Sequence, residues 1–157
     1  MTLEEYLKSD AFLLFQDEHL RLEACRAVDH FLQKASKPAE KAQLHSIPSV
    51  IQAGGSTTLE KLTNKQIAKN TKLENKAFWQ FIFDLVFSPD PPDYSLRLIV
   101  QKELIDRGFL DDDMSAPTKP QQRQIRRGNK AKVDGVIDRL LPVYFEHFNC
   151  HYFYKTH

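Results

Sequence analysis

The sequence predicts an all-α fold, a compact bundle of five to seven helices with a central apolar helix at about 73–87. Three observations carry this. Glycine is scarce, five in 157 residues, which disfavours a turn-rich β architecture. Apolar residues recur with a helical period over long stretches. No apolar–polar alternation lasts more than a few residues, and there is no internal repeat. A chain of this length forms a single domain, 1–157, able to bury roughly 70% of its unfolded surface without disulfide or metal staples.

The elements follow in order. Asp10 is placed to cap a long helix over 11–36, and on a uniform wheel Leu13, Leu14, Leu20, Ala24, Val28, Phe31 and Leu32 share one face. Lys37-Pro38 breaks it. A shorter helix runs to about Ile51, bent or split at Pro48, and Gly54-Gly55 ends it, with Thr57 or Thr58 as the next cap. The third helix spans 59–70, with Lys61, Lys65 and Lys69 in a stripe largely opposite Leu59 and Ile67. The fourth runs from Leu73 to Phe87 and places Phe78, Trp79, Phe81, Ile82 and Leu85 in the core. The three prolines of SPDPPD (88–93) exclude regular structure, and a fifth helix from Tyr94 stops at Gly108. An exposed linker is expected at about 111–122. The last helix starts near Ala131 and buries Val133, Val136, Ile137, Leu140, Leu141, Tyr144 and Phe148, with a kink at Pro142.

Net charge is only +1, but it is segregated. Residues 61–76 hold Lys61, Lys65, Lys69, Lys72 and Lys76 against one acid, Glu74, for a local net of +4. Residues 119–132 hold Lys119, Arg123, Arg126, Arg127, Lys130 and Lys132 and no acid, net +6, so the remainder is net −9. Such a field concerns partners rather than fold. Arginine offers bidentate donors to phosphate, the interspersed Gln and Asn suit sugar or base edges, and Gly128 permits close approach. Tyr152, Phe153 and Tyr154 are candidate stacking platforms for single strands. Against this stands the plainer possibility of a solvated basic loop.

Residues 61–86 also invite comparison with a helix-turn-helix, with Ile67-Ala68, Leu73 and Phe78 as its packing positions. A reading helix needs a polar face for base edges. Trp79 and Phe83 occupy that face here, and Lys72 stands where the turn needs a small residue, so a buried helix explains the stretch better.

Little points to chemistry. His147, Cys150, His151 and His157 cluster near the C-terminus, but their spacing matches no common zinc module, and no metal is expected. Asp111 to Asp113 lack the glycine and terminal glutamate of a calcium loop. No phosphate-binding glycine loop, nucleophile elbow or spaced carboxylate pair stands out, so neither cofactor nor catalysis is expected. Cys25 and Cys150 form no disulfide framework and suit a reducing cytoplasm, and no stretch is apolar enough to span a bilayer. The expected function is a small non-catalytic binding protein, an accessory subunit of an assembly that handles RNA or other nucleic acid, contacting a polyanion through its basic face. The alternative is a protein–protein adaptor or inhibitor whose basic loop meets an acidic partner surface.

Overall fold

The computed structural model describes residues 1–35 and 37–157, and these fold as a helical bundle without strands. A short α1 (Leu3–Leu7) is capped by Thr2, whose hydroxyl accepts from the Glu5 amide at 3.1 Å. Helix α2 (Asp10–Leu14) passes through a π-helical turn (Phe15–Leu20) into α3 (Arg21–Lys34). Its cap is Ser9 rather than Asp10, with the Ser9 hydroxyl accepting from Phe12 N–H. Ser36, where the sequence suggested the helix would end, lies outside the described residues.

The π turn corrects the expected apolar face. Phe12 and Phe15 are buried, whereas Leu13 and Leu14 are more than half exposed. Beyond the turn the buried set is Leu20, Ala24, Ala27, Val28 and Phe31. The step from Phe15 to Leu20 is five residues, the repeat of a π turn, so the face shifts by about one residue's rotation relative to a uniform 3.6-residue wheel.

Helix α4 (Lys41–Lys69) is two arms joined at a break. The break falls at Gly54 and Gly55, and not at Pro48, which lies inside the first arm. Proline leaves the carbonyl four residues earlier without its helical donor. That carbonyl, on Leu44, accepts instead from Asn149 Nδ2 at 3.2 Å. Gly55 has φ 68°, in the left-handed region. Asp138 then caps the second arm from another helix, accepting from Ser56 N–H at 2.7 Å. A Cβ on Gly55 would stand 2.6 Å from that Asp138 oxygen, so backbone conformation and space both require glycine here.

Helix α5 (Leu73–Val86) buries Phe78, Trp79, Phe81, Ile82, Leu85 and Val86. The side chains that a helix-turn-helix would present to DNA are thus largely in the core. Ser95 caps α6 (Leu96–Asp106), accepting from Leu98 N–H at 3.1 Å, and Gly108 at φ 76° closes it, with Phe109 N–H reaching Leu104 C=O at 2.9 Å. A single 3-10 turn (Asp113–Ser115) leads into α7 (Lys119–Thr156), 38 residues and about 57 Å long at 1.5 Å per residue. The last helix therefore begins a dozen residues before the expected Ala131, and residues 119–122 of the expected linker are its first turn.

Arg97 ties three helices together. It is buried, donates from Nε to Val86 C=O at 2.6 Å, and pairs through Nη2 with Asp134 of α7 at 2.8 Å.

Candidate nucleic-acid interface

The first third of α7 is built differently from the rest. Thr118 caps it, accepting from Gln121 N–H at 3.3 Å, and Pro120 in the first turn suits a helix start. From Lys119 to Lys132 no side chain is buried, and the first buried residue is Val133. At about 100° per residue, Lys119, Arg123, Arg126, Arg127 and Lys130 fall within an arc of roughly 100°. Gln122, Ile125, Asn129 and Lys132 form a second side, each partly covered. Gln121, Gln124 and Gly128 lie on a third, exposed side.

The covered side is closed by the chain arriving from α6. Asn129 clasps the Asp111 backbone twice, accepting from its N–H at 3.0 Å and donating to its C=O at 2.8 Å. Gln122 Nε2 donates to Ala116 C=O at 3.1 Å, and Lys132 Nζ donates to Phe109 C=O at 3.0 Å. Arg126 pairs with Asp113, and its hydrogen bond holds the Asp113 carboxyl below the usual range. Residues 111–118 are thus fastened to the basic helix by side chains, although most of them are exposed.

Three of the six cations between Lys119 and Lys132 already have acidic partners. Arg126 meets Asp113, Lys130 meets Asp134 at 2.8 Å, and Lys132 approaches Asp111 at 3.7 Å. Burial pushes the Asp134 carboxyl up, but hydrogen bonds from Lys130 and Arg97 outweigh this and hold it low. Lys119, Arg123 and Arg127 are exposed and, among the described residues, engage in no ion pair.

The other lysines are carried by different helices. Lys61, Lys65 and Lys69 are exposed on the second arm of α4, and Lys72 and Lys76 flank the start of α5. None of the five is ion-paired among the described residues. The first arm of α4 runs antiparallel to α7, with Leu44 beside Asn149 and, just past the break, Ser56 beside Asp138. Glu60, next to Lys61, borders a small cleft of about 310 Å³ with Lys130 and Asp134. The start of the second α4 arm and the Lys130 end of the basic segment share this cleft, and among the described residues no hydrogen bond or ion pair joins Lys65 or Lys69 to Arg123, Arg126 or Arg127.

The aromatics at 152–154 do not join this face. Arg123 and Tyr152 are separated by about 44 Å of helix at 1.5 Å per residue. Tyr152 is fully buried, accepting from Ala39 N–H at 2.6 Å, and Phe153 is partly covered. The C-terminal histidines have other surroundings. His151 Nε2 lies 2.8 Å from Asp29, His157 Nδ1 lies 3.0 Å from the Thr156 hydroxyl, and Cys150 is exposed. Among the described residues no group of three or more His, Cys, Asp or Glu converges as a metal site would.

Sequence inspection missed one concavity, a cleft of about 1060 Å³ between the π turn and α6, bordered by His19, Glu23, His30, Tyr94, Glu103 and Asp106. The His30 ring stacks on Tyr94 at 4.0 Å, and burial pushes its imidazole pKa down. No local motif marks this cleft, since its lining comes from three separate stretches. Compared with known proteins, the chain matches no family model, no curated protein and no solved structure.

Proposed function

We propose that this protein is a non-catalytic binding subunit that holds a polyanion, foremost nucleic acid, on the exposed start of α7. The observation that carries this is the row Lys119, Arg123 and Arg127, with steps of four residues on one helix face, exposed and without an ion-pair partner among the described residues. Cations with no ion-pair partner on a helical segment that buries no side chain are available to phosphate. The Lys61, Lys65 and Lys69 stripe supplies a second positive surface that adds to long-range attraction. The free thiols Cys25 and Cys150 suit a reducing cytoplasm, and no helix among the described residues is long and apolar enough to cross a membrane.

A salt titration tests this. Binding of heparin and of short nucleic acids should weaken steeply with salt, the slope of log K against log[salt] carrying roughly 0.7 to 0.9 per phosphate contacted. Replacing Lys119, Arg123 and Arg127 together with Gln should flatten it. If the wild type retains no polyanion at low salt, the adaptor role, with an acidic protein as partner, takes first place.

A further inference from the structure

We infer that the partner of this face is a DNA duplex, with the Lys119–Lys130 segment of α7 lying in the major groove. The inference rests on the polyanion-binding role proposed above and narrows it to one form of nucleic acid.

Single-stranded binders draw much of their affinity from bases stacked on aromatic rings. The segment from Lys119 to Lys132 contains no aromatic residue. Tyr152, Phe153 and Tyr154 lie tens of ångströms away along the helix axis, the first buried, the second partly covered and only Tyr154 exposed. Phe109, the aromatic nearest in the incoming loop, is partly buried and packs its ring on Tyr6 at 5.5 Å. The face therefore has charge and amides but nowhere to stack a splayed base.

Its shape suits a groove. A helix with its side chains is about 10–12 Å across, and the major groove of B-form DNA is about 12 Å wide. The covered side of the segment is the one that holds Gln122, Ile125, Asn129 and Lys132, which leaves the cationic side and the Gln121–Gln124–Gly128 side open together. Lys119, Arg123 and Arg127 then face one phosphate strand, while Gln121 and Gln124 stand beside them at the level of base edges. Gly128 has no atom within 4 Å of where a Cβ would be, so no side chain covers the helix there; with Gln121 and Gln124 it forms one wall of a shallow concavity of about 540 Å³ whose other wall is Asp111, Ala116 and Pro117. An RNA duplex fits poorly, because its major groove is deep and too narrow for side chains to read.

The experiment is fluorescence anisotropy of the full chain with a DNA duplex, an RNA duplex of the same sequence, the DNA and RNA single strands, and heparin, each over a salt series. The DNA duplex should bind most tightly. Replacing Lys119, Arg123 and Arg127 with Gln should reduce its salt slope by about 2.7, at roughly 0.9 per phosphate contact. A minor-groove dye should leave the affinity unchanged, and thermal melts should show the triple variant folded. Single strands bound as tightly as the DNA duplex would overturn the duplex inference, and displacement by the dye would overturn the major-groove placement, while the polyanion role stands in either case. Failure to bind any of the five ligands at low salt would overturn both.

Discussion

Along α7, what surrounds the helix changes abruptly at Val133. From there to Tyr152 nine side chains are buried, and they include Tyr144, Phe145 and Phe148 at 1% exposure or less. From Lys119 to Lys132 none is buried, and the helix is held by a Thr118 cap, an Asn129 clasp and Arg126–Asp113. Continuity explains how the exposed part persists. Nucleating a helix is the unfavourable step, and extending one that already exists costs little. A packed helix can thus project a further three to four turns whose surface is left to serve a partner.

The largest test of the contrast is a cavity in the packed part. Phe148 lies against Phe145 at 5.4 Å and Tyr152 at 6.0 Å, so Phe148→Ala should cost about 3–5 kcal/mol in a urea melt. Ile125→Ala, in the exposed part, should cost about 1 kcal/mol or less. Comparable losses at the two sites would mean that the first third of α7 is part of the core after all.

Glycine scanning probes the same boundary on a finer scale. Gly128 and Gly135 lie on opposite sides of Val133, both exposed, and a Cβ at either meets nothing within 4 Å. Alanine at Gly135 should stabilise the chain by about 0.5–1 kcal/mol. An equal gain at Gly128 shows that the projecting segment is as firmly helical as the packed one, and a smaller gain shows that it frays. Thermal melts of the two variants decide.

The smallest expected effect is a pH dependence. The hydrogen bond from Arg126 holds Asp113 below the ordinary carboxylate range, so its folded pKa is depressed. The contact is therefore complete above that ordinary range and is lost as pH falls through the depressed value. Carbon-detected NMR of the Asp113 carboxyl should show the low midpoint, and Asp113→Asn should remove the accompanying shift at Arg126 Nε. A midpoint at the ordinary value would show that the loop is not docked through this pair.

Much of the fold could be read from periodicity. The near-continuous apolar run from Ala77 to Phe87, the proline break at 88–93 and the Gly54-Gly55 stop each rest on local chemistry and lie where expected. The start of α7 was missed because a helix that buries nothing leaves no apolar period, although Thr118 followed by Pro120 carries a start signal. The π turn was missed because a wheel assumes one pitch throughout. At the candidate site, the cations were legible as a run of charge. Lys130–Asp134 is an i,i+4 pair readable from helix spacing, but the pairing of Arg126 and Lys132 depends on Asp113 and Asp111, whose approach is set by tertiary folding.

The π turn also makes one stretch of the chain unusually tolerant of a change in length. Deleting a residue from an ordinary helix turns everything beyond it by about 100° and sends the buried side chains into solvent. Between Phe15 and Leu20 the opposite holds, because the chain there already carries one residue more than a regular helix needs. Loss of Asp17 or Glu18, both exposed, would bring Phe15 and Leu20 to a four-residue step, with Phe12 on one side and Ala24 and Val28 on the other still in phase. What such a shortened chain would give up is the bulge from which His19 reaches the edge of the large cleft. The extra residue is dispensable for the core, and its consequences fall on the cleft.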